Sequence, residues 1–106
     1  MSEDVKLQQE SERGSKARAI LGDAMLQEAF SVAETDILEK WKASPIRDGE
    51  GQLALRLQWQ CLNHIKKHLT DVLTTGKLAD EMIKHNRTLR EKARAALEGA
   101  VSGFKR

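Results

Sequence analysis

Tyrosine is absent from this 106-residue sequence, proline and cysteine occur once each, and the aromatic complement is two tryptophans and two phenylalanines. Each scarcity excludes something. A lone cysteine, Cys61, cannot form an intramolecular disulfide, so a reducing compartment fits best. The single proline, Pro45, leaves one obligatory helix interruption. Four aromatics and few valines or isoleucines leave little material for a thick core. No apolar run approaches the roughly 20 residues a membrane span requires. The N-terminal MSEDVKLQQESERGSK is polar and acidic where a signal peptide needs a basic start and an apolar stretch. A cytoplasmic location without membrane contact is the expectation.

What is present favours helix. Charged residues make up 32% and apolar ones 40%, and Ala, Leu, Glu, Lys, Arg and Gln dominate. Those side chains lose little rotamer freedom in a helix, and long helices without a thick core often complete their burial against another copy. Homo-oligomerisation is therefore expected. Charge divides unevenly: residues 1–50 hold eleven acidic and seven basic side chains, residues 51–106 five acidic and eleven basic. That asymmetry can orient contacts between copies or steer an anionic partner, and solvated helix faces produce it equally.

Along the chain, residues 1–14 read as a polar flexible arm, either a frayed helix or disordered, 15–100 as a single helical domain and 101–106 as a flexible tail. Ser15 can cap a short helix from Lys16 to Leu21, Gly22 suits a left-handed C-terminal cap, and Asp23 an N-cap. Leu26, Phe30, Ala33, Ile37 and Trp41 then recur at spacings of three and four, the clearest amphipathic stripe in the sequence. Ser44–Pro45 ends that helix, and Asp48 can cap the next while Arg47 reaches Glu39. A third helix is expected over about 50–75, with Leu55, Leu62, Ile65, Leu69, Val72 and Leu73 inside and Gly76 as its cap. The fold class is thus all-α: an antiparallel hairpin of helices at about 24–43 and 50–75, with a short N-terminal helix and a C-terminal helix. Phe30 and Trp41 are its expected anchors.

Chemistry is harder to find. Cys61, His64, His68 and Asp71 share one side of the third helix and are competent metal ligands, but consecutive turns of one helix rarely enclose a metal and no second ligand pair accompanies them. The plainer reading is the polar flank of a core helix, with Cys61 a small buried hydrophobe. No base and orienting group stand apart from a nucleophile as catalysis needs, and Gly49 and Gly51 lack the lysine and hydroxyl of a phosphate cradle. Neither an enzyme, a metal nor a cofactor is expected.

The last segment offers two surfaces. Leu78, Met82, Leu89 and Ala93 form an apolar strip that can meet a partner protein. Lys84, Arg87, Arg90 and Arg94 form a basic stripe able to touch nucleic-acid phosphates. Asp80, Glu81, Glu91 and Glu98 interrupt that field and no aromatic stands beside it to stack a base.

The segments KARAILGDAMLQEAF, Trp41, SPIRDGEGQLALRLQ and LTTGKLA resemble small α-helical proteins of tailed bacteriophages and prophages, over roughly residues 13–79. The resemblance implies a phage setting, in the host cytoplasm or the virion, and no reaction. Together these readings point to a non-enzymatic interaction protein that self-associates and meets a phage or host protein in virion assembly, packaging or modulation of a host factor. A nucleic-acid-binding accessory is the competing reading.

Overall fold

A computed structural model describes residues 2–104, with side chains through Ala100. Three helices account for nearly all of it: α1 (Glu3–Leu21), α2 (Ala24–Ala43) and α3 (Gly49–Phe104). The chain is all-helical, but it is no simple hairpin. α1 and α2 follow one another along a single 56-residue α3 and both run antiparallel to it. Asp4 meets Arg90, Ser11 meets Asp80, and Glu34 meets Lys66, which fixes that direction. The result is a rod with extents of 89 × 25 × 20 Å. A helix of 56 residues is about 84 Å long at 1.5 Å per residue, so α3 sets the length of the molecule.

The expected second helix stands at Ala24–Ala43. Asp23 caps it, its side chain accepting from the Leu26 N–H at 2.9 Å. Ser44 closes it by donating its hydroxyl to the Trp41 carbonyl at 2.6 Å, directly before Pro45. Asp48 caps α3, accepting from the Gly51 N–H at 2.9 Å. Arg47 makes no ion pair with Glu39 among the described residues.

Other boundaries differ from expectation, and one contact explains most of the differences. The first helix begins at Glu3 rather than Lys16, with Ser2 as its cap, so residues 3–14 belong to one continuous helix where a frayed helix or a disordered arm was expected. The third helix does not stop near Thr75; it runs through Gly76 to Phe104 and absorbs the separate C-terminal helix. Gly76, expected as a helix cap, and Gly14, the last residue of the expected arm, lie mid-helix against each other. A Cβ on Gly14 would sit 2.6 Å from the Gly76 Cα, and one on Gly76 would sit 2.5 Å from the Gly14 Cα. A mid-helix glycine costs about 0.5–1 kcal/mol against alanine, but here its missing Cβ lets two backbones touch. Gly22 takes φ −83°, not a left-handed conformation; its N–H donates to the Arg18 carbonyl, and Gln27 reaches back to the Leu21 carbonyl at 2.8 Å to brace the bend. Of the tail expected at 101–106, the α3 backbone continues through Phe104, while the side chains from Val101 onward and residues 105–106 lie outside the described residues.

Packing is close along α1 and open along α2. Gly14, Ala17, Gly76 and Ala79 are the buried residues among those described, and no large side chain is fully buried. Small residues bring α1 onto α3, whereas Phe30, Trp41 and Trp59 hold α2 further away. Phe30 is half-buried, with the Lys66 ammonium 5.8 Å from its ring centre, but Trp41 is 54% exposed and does not anchor a core.

Candidate interaction surface

The half-buried face of α3 repeats every seven residues, at Leu55, Leu62, Leu69, Gly76 and Ile83, a 3.5-residue period that keeps one seam of a long helix toward its partners. Two further rows lie on one flank of that seam. One holds Gly51, Gln58, Ile65, Val72, Ala79, Asn86, Ala93 and Ala100; the other holds Ala54, Cys61, His68, Thr75, Met82, Leu89 and Ala96. Fourteen of the fifty residues from Gly51 to Ala100 are Asp, Glu, Lys or Arg, and none of them falls in these two rows. A two-helix seam covers only part of such a sector. Apolar and small residues spread over three rows of seven, broken by Gln58, Asn86, His68 and Thr75, fit a helix inside a larger bundle.

The expected partner strip lies here. Leu78, Met82 and Leu89 are 59%, 43% and 51% exposed, and Ala93 is exposed as well. Met82, Leu89 and Ala93 belong to the uncharged rows, with Leu78 on the outer side. From Glu91 to Ala100 every residue of α3 is exposed, because α1 begins opposite Arg90 and covers nothing beyond it.

The other flank is different in kind. Arg56, Lys66, Lys77, Lys84, Arg87 and Arg94 fall in the two rows on that side. Lys66 is engaged by Glu34 at 2.6 Å. Arg90, the fourth member of the expected basic stripe, sits on the seam itself and is held by Asp4 at 2.6 Å. Lys84, Arg87 and Arg94 are exposed, so three of the four cations share a flank and the fourth is drawn toward α1.

Near the interhelical turn the same flank opens into a groove of about 640 Å3 walled by Ile37, Leu38, Trp41, Leu53, Leu55 and Trp59, with Glu34 and Arg56 at its rim. Both indoles are about half exposed, at 54% and 50%. The spacing in the sequence points Trp41 inward; the structure puts it, together with Trp59, on the edge of this groove.

The cysteine–histidine row does not assemble a site. Cys61 is exposed rather than buried, Asp71 is paired with Lys67 at 2.8 Å, and His68 lies in a shallow hollow with Glu10, Arg13, Val72 and Thr75. Among the described residues no three His, Cys, Asp or Glu side chains come together as a metal-holding group, and no helix is long and apolar enough to cross a membrane. The overlooked signal was the seven-residue repeat: Leu69, Gly76 and Ile83 continue the row of Leu55 and Leu62 without a break. No protein-family model, no curated protein and no solved structure matches the chain.

Proposed function

We propose that this chain is a non-enzymatic helical protein that acts through protein–protein contacts and assembles with further copies of itself. The observation that carries the reading is its unfinished burial. The surface amounts to 8789 Å2, whereas a compact monomer of this mass exposes about 6,000 Å2. The radius of gyration is 24.3 Å, against about 13 Å for a compact chain of this length. Fifteen large apolar side chains are exposed among the described residues, from Val5 to Leu97. Exposed apolar surface on that scale favours association. A bacteriophage setting, in virion assembly, packaging or modulation of a host factor, draws its support from the sequence resemblance over residues 13–79. Leu78, Met82, Leu89 and Ala93 remain the residues offered to a partner.

Light scattering coupled to size exclusion tests the reading. Two or more copies per particle at micromolar concentration are expected. A particle of one-chain mass at every concentration tried would remove self-association.

A further inference from the structure

We infer that the two uncharged rows of α3 are the face on which a second copy packs, α3 against α3 and antiparallel, about a two-fold axis at Thr75. This rests on the self-association proposed above and names its surface.

Three observations carry it. The row Ala54, Cys61, His68, Thr75, Met82, Leu89, Ala96 is exposed throughout and can be set antiparallel against its own reverse. Turned end over end about Thr75, Ala96 falls on Ala54, Leu89 on Cys61 and Met82 on His68, with no charge opposite a charge. A two-fold contact demands this kind of self-complementarity. Second, Thr75 lies at the middle of α3, which runs from Gly49 to Phe104, so an axis there overlaps two helices along their whole length. The free end of α3 beyond Arg90 then lies beside the partner's turn rather than in water. Third, charge and area agree. Six of the α3 cations, Arg56, Lys66, Lys77, Lys84, Arg87 and Arg94, occupy the opposite flank, so two basic helices approach through rows with no charge of their own, bordered near His68 and Thr75 by Asp71 and by the oppositely charged Glu10 and Arg13 of α1. A strip about 10 Å wide along roughly 80 Å of helix amounts to about 800 Å2 on each copy, the usual size of a stable interface, of which α1 already covers Ala79 and part of Val72 and Asn86.

Thr75 is exposed, and at the axis it faces itself. The test uses the full chain carrying Thr75→Glu or Thr75→Lys, with mass followed by sedimentation equilibrium and helicity by circular dichroism. Wild type is expected at two-copy mass. Each variant alone places like charges together and should raise the dimer dissociation constant at least tenfold, while an equimolar mixture pairs Glu with Lys and should restore the two-copy particle. That restoration also shows that neither variant has failed to fold. Arg94→Glu, on the opposite flank, should leave the mass unchanged. If wild type is a dimer and both Thr75 variants keep its affinity, this face is wrong and self-association stands; dissociation by Trp59→Glu instead would move the contact to the tryptophan groove. If wild type is a monomer throughout, both proposals fall.

Discussion

Replacing Gly76 with alanine should destabilise the protein, although the same change at most helix-interior glycines does the opposite. Alanine gains about 0.5–1 kcal/mol over glycine in a free helix, because less backbone freedom is lost on folding. Gly99 meets nothing within 4 Å of an added Cβ and serves as the control. At Gly76 the new methyl would lie 2.5 Å from the Gly14 Cα and 3.1 Å from the Glu10 carbonyl oxygen. Both are backbone atoms, so no side chain can swing aside and the helices must separate. Overpacking of this kind costs about 1–3 kcal/mol. Against the propensity gain, the net for Gly76→Ala is a loss centred on about 1 kcal/mol and reaching about 2.5 kcal/mol. Urea unfolding followed at 222 nm, at one fixed protein concentration, gives the number directly, since association couples mass to stability. Gly14→Ala should behave alike, and the double variant should lose less than the sum of the two, because helices already parted for one methyl accommodate the other. A gain at Gly76 equal to that at Gly99 would refute the close crossing of α1 and α3.

Further outcomes follow from other contacts. Asp23→Ala and Asp48→Ala remove helix caps and should each cost about 0.5–2 kcal/mol by the same unfolding measurement, with asparagine retaining most of it. Trp41→Ala should cost clearly less than the roughly 3–5 kcal/mol of a buried aromatic, and its quenching by added iodide should be efficient if the particle leaves the groove open. The Asp4–Arg90 pair is mostly exposed, so Arg90→Ala should change stability by no more than about 0.5–1 kcal/mol, with less effect at high salt. Reversing Arg87 and Arg94 to glutamate should leave particle mass unchanged; if the chain instead retards duplex DNA at low salt and the reversal abolishes this, the basic flank is the working surface.

Much of the architecture was readable from local chemistry. The stripe from Leu26 to Trp41, the Asp23 cap and the Ser44–Pro45 stop fix α2 to the residue, because each depends on neighbours within a turn or two. What local chemistry could not supply was the meaning of Gly14 and Gly76. A glycine after a helical stretch ordinarily signals a cap, and only the approach of a second backbone makes it a contact. The same blindness hid residues 3–14, whose few apolar positions form a helix once Leu7, Ser11 and Gly14 have α3 to lie on. The candidate surface was half legible. Met82, Leu89 and Ala93 stood out by spacing, whereas the absence of charge in two whole rows becomes visible only when α3 is one helix. Arg90 shows the converse: sequence spacing grouped it with Lys84, Arg87 and Arg94, and its position on the seam opposite Asp4 separates it from them.

The unbroken α3 is the premise on which rod, seam and interface all stand, and small-angle X-ray scattering measures it most directly. A maximum dimension near 89 Å is expected, unchanged when two copies lie side by side over their full length. A helix broken at Gly76 and folded back would leave pieces of about 40 Å, and a particle of that dimension would contradict the account.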